Sequence, residues 1–106
     1  MAADLLQGTL DLLILKSLVL EPNHGWGIAL RIQQLSKDAL QVQQGSLYPA
    51  LHRLEAKGLI SAKWDTSDNN RRAKYYSLTR KGKKQLETEV ESWRRFATAV
   101  KLVLEG

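Results

Sequence analysis

The chain has 106 residues, room for one domain and little more. Sixteen Lys and Arg against eleven Asp and Glu give a net charge of +5, and a hydrophobic content of 43% supplies a core and excludes a disordered tail. Cysteine is absent, which excludes disulfides, thiolate nucleophiles and Cys-based metal or iron–sulfur sites.

Met1-Ala-Ala-Asp4 carries no basic run ahead of an apolar stretch, so no secretory signal is expected. The longest apolar runs, 12–15 and 18–20, fall far short of the ~20 residues that cross a bilayer. A cytoplasmic domain without membrane contact is expected. Residues 4–20 read as a first helix, capped by Asp4 or Thr9. Its leucines leave it apolar on nearly every side, a pattern that requires burial all round. One small domain can hardly cover such a helix, so part of it is expected to meet a second subunit.

The cluster 21–25 breaks the chain, with His24 as a turn or cap residue. A second helix over 26–36 carries Ile28, Ile32 and Leu35 on one stripe, with Trp26 packing beside it. Leu40 and Val42 alternate with Gln41 and Gln43, enough for a short strand or an extended link. Ser46 is a good N-cap for a third helix, and Pro49 would then fall in its first turn. Leu47, Leu51 and Leu54 form its buried stripe. Gly58 stands at the C′ position, with Leu59 as the apolar contact beyond it.

Residues 59–65 and 73–79 read as two strands joined by the turn 66–70, with Ile60, Ala62 and Trp64 as hairpin core. Thr79 caps a last helix that runs to about Leu104, a rod of roughly 38 Å. Along it Leu86, Val90, Trp93, Ala97, Val100 and Leu104 recur at spacings of 4, 3, 4, 3 and 4, a coiled-coil repeat. Phe96, Ala99 and Val103 form a second stripe. The seam, joined by Leu6 of the first helix, is expected to hold a homodimer.

The charge is one-sided. Residues 53–84 hold ten bases against three acids, and 71–84 hold seven bases and no acid. Such a distribution suits a polyanion. Three helices followed by a hairpin form a winged helix-turn-helix, a mainly α fold with a long C-terminal helix. Residues 1–79 would form the DNA-binding domain and 80–106 the dimerisation helix of one compact unit. The face of the third helix left free by its leucines offers Gln44, Ser46, Tyr48, Pro49, His52, Arg53 and Lys57 to a major groove. Arg53 could reach a guanine edge or a phosphate. The wing adds Arg71, Arg72 and Lys74 for the backbone. A winged-helix module that binds protein or RNA explains the same fold but not this placement of charge.

Enzyme chemistry finds no support. His24 and His52 are the only histidines, neither has a ligand-type residue at i+4, and Glu55, one turn on from His52, is more simply an intrahelical pair; Gly25-x-Gly27 lacks a third glycine and a preceding strand. No catalytic residue, metal or cofactor is expected.

Leu6-Gln-Gly-Thr-Leu-Asp-Leu-Leu-Ile-Leu15, His24-Gly-Trp-Gly27, Gly45-Ser-Leu-Tyr-Pro-Ala-Leu-His-Arg-Leu-Glu55, Gly58-Leu-Ile60 and Arg71-Arg-Ala-Lys-Tyr-Tyr-Ser-Leu-Thr-Arg-Lys-Gly82 resemble the successive signatures of PadR-type transcriptional regulators. The resemblance covers nearly the whole chain. It implies a homodimeric repressor that binds an inverted-repeat operator on double-stranded DNA and is released by a small effector. The single C-terminal helix is similar to the multidrug-responsive branch, in which a Trp on that helix lines a pore at the dimer centre. Trp93 matches it, with Leu10 and Ala97 as further candidates for a small aromatic effector. A packed, dry seam residue is the other reading of Trp93. The departures are Trp26 where Tyr is usual, Gly27 where a larger residue is common, and a wing tip of Asp-Asn-Asn.

Overall fold

A computed structural model describes residues 7–66 and 69–106. The elements run α1 (Gln7–Ser17), β1 (Asn23–His24), α2 (Gly25–Leu35), α3 (Gln44–Ala56), β2 (Ile60–Thr66), β3 (Arg72–Leu78) and α4 (Arg80–Glu105). The three strands form one antiparallel sheet in the order β1-β3-β2. Three helices with a hairpin after the third make a winged helix, as the element order predicts.

The core is built from the expected stripes, except that Leu35 of α2 is 72% exposed. Leu10, Ile14 and Leu15 of α1 meet Ile28 and Ile32 of α2 and Leu47, Leu51 and Leu54 of α3, all buried. Leu59, Ile60 and Tyr76 close one end of this cluster. At the corner between α1 and α2, Arg31 donates to the Ser17 carbonyl at 2.7 Å and to Glu21 at 2.7 Å.

Local chemistry sets the ends of the elements. His24 caps α2 with its ring, Nδ1 accepting from the Gly27 N–H at 3.0 Å. The helix α3 closes in a Schellman turn. Leu59 N donates to the Leu54 carbonyl and Gly58 N to that of Glu55, both at 3.0 Å, with Gly58 at φ +74°. Thr79 caps α4 by accepting from Gly82 N at 2.9 Å, and its hydroxyl reaches back to the Gly58 carbonyl at 2.7 Å. One side chain thus ties the end of α3 to the start of α4.

Several expectations need correction. Helix α1 gives way after Ser17 to tight turns, in which Leu18 N reaches the Leu15 carbonyl and Val19 N that of Lys16. Thr9 lies inside it, while Asp4 and Leu6 lie outside the described residues. Of the two readings of 40–42, the strand does not form and the segment is a link. The extra strand is Asn23–His24, which pairs with Tyr76 and Tyr75. Ser46 is not the cap of α3. The helix begins two residues earlier behind Gln43, which caps it without its side chain, so Pro49 stands in the second turn. Its missing N–H cannot bond the carbonyl of Gly45, an exposed residue.

Leu86 is also reassigned. It is buried within its own chain, on the core cluster, and Val90 packs against the same cluster. The heptad row stops being covered one turn later. Trp93, Val100 and Leu104 are exposed, as are Phe96 and Val103 of the second stripe, while Ala97 is half-buried. The 26 residues of α4 make a rod of about 39 Å. The described chain is accordingly elongated, 54 × 32 × 22 Å.

Candidate nucleic-acid interface

With Leu47, Leu51 and Leu54 turned inward, the helical period puts Gly45, Pro49, His52 and Ala56 on the outermost row of α3, all exposed. Gln44 and Tyr48 flank that row on the side of the wing. Ser46 and Lys57 flank it on the side of α1, and all four are exposed. The crest is therefore small and poor in hydrogen-bonding groups. His52 is its one polar side chain.

Arg53 stands on the α1 flank of this face, but its guanidinium is engaged by α1. Its Nη2 donates to Oδ1 of Asp11 on α1 at 2.8 Å, across 42 residues of sequence. Its Nε is buried without a hydrogen-bond partner among the described residues. The guanidinium is thus held as an internal tie between α1 and α3. Lys74 is similarly engaged. Its Nζ lies 3.1 Å from Oε1 of Glu55 on α3 and 5.6 Å from the ring centre of Tyr76. The hydrogen bond to Glu55, foremost, raises the Lys74 pKa above its ordinary value. Burial raises that of the Tyr76 phenol.

The outer wing keeps its charge available. Arg71 and Arg72 are exposed, and among the described residues neither forms an ion pair. The guanidinium of Arg72 stands 5.2 Å from the ring centre of Trp64. Trp64 occupies the face of the hairpin predicted from its alternation with Ile60 and Ala62, yet it is 57% exposed. The strand outruns the body of the domain, so its inward face emerges into solvent there. Trp26, expected as packing for α2, is likewise 63% exposed. Tyr48 lies against Gly25, where a Cβ would come within 3.0 Å of its ring. Glycine at the head of α2 is what lets the tyrosine approach.

A second candidate surface lies between α1 and α4. Leu12, Leu13 and Lys16 face Leu86, Val90, Trp93 and Arg94 across a groove of about 680 Å³. Trp93 is in its wall. Leu10 is not, because it is 2% exposed and packed in the core. Ala97 lies a turn beyond Trp93 and outside the groove wall. Sequence reasoning missed Asp11, Glu55, Leu12, Leu13 and Lys16 at these sites. Nothing at the spacing of Asp11 and Arg53 signals their meeting. The all-round apolarity of α1 did signal an uncovered side, without saying which leucines form it.

Among the described residues no group of three or more His, Cys, Asp or Glu could hold a metal ion. No described helix is long and apolar enough to cross a membrane.

Over residues 14–88 the sequence matches the transcriptional regulator PadR-like family. An uncharacterized protein X of Lysinibacillus sphaericus is 32% identical over 105 residues, which cover 98% of this chain and 95% of that protein. A PadR family transcription regulator from Clostridium difficile is similar in structure, with a TM-score of 0.75 at 32% identity over 90% of this chain and 97% of its own. A PadR-like transcriptional regulator from Bacillus cereus gives a TM-score of 0.78 at 31% identity over 94% and 95%. With its winged helix and these relatives, the chain belongs to the PadR-like family of transcriptional regulators.

Proposed function

We propose that this regulator is a homodimer that binds double-stranded DNA at an inverted repeat and represses transcription until a small aromatic effector releases it. The observation that carries the DNA reading is the free face of α3 standing beside Arg71 and Arg72, which have no ion-pair partner among the described residues. His52, Tyr48 and Gln44 supply the hydrogen bonds that base edges can use. Ser46 and Lys57 suit flanking phosphates, and the wing arginines suit the backbone beyond. Arg53 acts from behind, by holding α3 on α1, and Lys74 by holding the wing to α3. Residues 1–79 form the reading head. Residues 80–106 join two heads, although the first two turns of α4 belong to the core.

Dimerisation is supported by the exposed apolar rows on α4 from Trp93 outward, a surface that a monomer would leave in water. The half-covered groove beside Trp93 would be completed by the partner and is the place for the effector. A repressor of this kind works in the cytoplasm. Fluorescence anisotropy with duplexes from upstream of its own gene, at two salt concentrations, tests the reading, with light scattering for the mass. A dimer with sequence-selective, salt-dependent binding is expected. A folded dimer without selective duplex binding would favour a protein- or RNA-binding module instead.

A further inference from the structure

A cleft of about 830 Å³ opens between the head of α2, Tyr48 of α3 and the inner face of the outer hairpin. Its size lies within the roughly 300–1,000 Å³ of small-molecule sites. Three large rings stand in it half exposed, with Trp26 at 63%, Trp64 at 57% and Tyr48 at 50%. Arg71, Arg72 and Lys74 share its wall, and no described acid does. Lys74 is already engaged by Glu55. The guanidinium of Arg72 lies by the Trp64 ring and forms no ion pair among the described residues, so its fork is free for an anion.

DNA backbone contact explains the arginines but not the rings. A duplex keeps its base faces stacked and shows only edges to a groove-binding protein. Indole faces gathered in a recess call for a ring that arrives unstacked. Two arginine forks beside them call for a dianion, which a phosphate monoester supplies. We infer that this cleft binds a free mononucleotide, its base against Trp26 and Trp64 and its phosphate on Arg71 and Arg72. The site is separate from the groove beside Trp93. Because Tyr48 and the wing arginines border it, its occupant would compete with DNA for them.

The test titrates the full chain, without DNA, with adenosine monophosphate, adenosine, inorganic phosphate and an oligothymidylate. The indole N–H resonances, assigned by single Trp→Phe variants, report the site. The monophosphate is expected to shift the signals of Trp26 and Trp64, with adenosine and phosphate each about tenfold weaker. Arg71→Gln, which removes the fork that has no ring contact, should weaken the monophosphate about tenfold and weaken adenosine far less. Trp64→Ala should weaken both by about tenfold or more, the loss of one stacking ring. Trp64→Phe, which keeps a ring, should lose less and guards against a folding defect. Inorganic phosphate binding as tightly as the monophosphate would reduce the cleft to a backbone contact and overturn the inference. Shifts confined to Trp93, or tighter binding of the oligothymidylate, would overturn it as well. With no DNA duplex present, failure here leaves the proposed operator binding standing, and the reverse holds.

Discussion

The tie between Asp11 and Arg53 can be weighed by replacing them as Asp11→Leu, Arg53→Met and both together. The pair spans 2.8 Å, with the side chains 17% and 29% exposed. An exposed pair is worth about 0.2–1 kcal/mol, whereas a buried charge deserted by its partner costs about 3–5 kcal/mol. Intermediate burial places each single variant near 2 kcal/mol of lost stability by these two limits. For a domain of this size that is roughly 8–16 °C in Tm. Arg53→Met should be the worse, because it strands the more buried carboxylate, while in Asp11→Leu the long arginine can swing toward water. The double variant removes both charges and should recover about 1–2 kcal/mol relative to the sum of the singles. Urea unfolding at one fixed protein concentration measures all four chains, since the proposed subunit association would make stability concentration-dependent. A coupling below about 0.5 kcal/mol would refute the tie. So would an Arg53→Met protein that folds normally and loses discrimination at a single operator base pair.

Three further outcomes follow from single features. Arg71→Ala with Arg72→Ala should weaken binding to all duplexes and lower the salt slope by about 1.8, at roughly 0.9 per phosphate contact; an unchanged slope would mean the wing does not touch the backbone. Gly58→Ala should cost about 1 kcal/mol in urea unfolding. Its φ is +74° and a Cβ there meets open space, so the backbone conformation alone sets the cost. Finally, Lys74 and Tyr76 both have pKa values raised above 10.5 and 10.0. A raised folded pKa stabilises fully below the unfolded value and less as pH climbs past it. The urea midpoint should therefore lose both contributions above about pH 10, with Tyr76→Phe and Glu55→Gln each removing part of that loss.

The features legible in the sequence are those whose cause is local. Gly58 and Thr79 sit where helix-end chemistry needs them, and the Leu47, Leu51, Leu54 row orients α3 by period alone. The features that escaped depend on what another segment brings near. Arg53 reads as a groove residue until Asp11 of α1 is placed beside it. Trp64 reads as core by alternation, which identifies its face of the strand but not where the body of the domain ends beneath it. Leu86 and Trp93 share one heptad row, yet only the first meets its own core. Ser46 shows a limit of cap rules, since the chain had turned helical behind Gln43 before the better capping residue arrived.

In the proposed mode of action two copies, joined along α4, present paired α3 faces to duplex DNA. Selection of binding sites from a random duplex pool by the full chain reads this arrangement out. Enrichment of an inverted repeat whose half-sites lie about one helical turn apart, roughly 10 base pairs, or a multiple of it, is expected. Enrichment of a single asymmetric site, or of none by a folded protein, would contradict it.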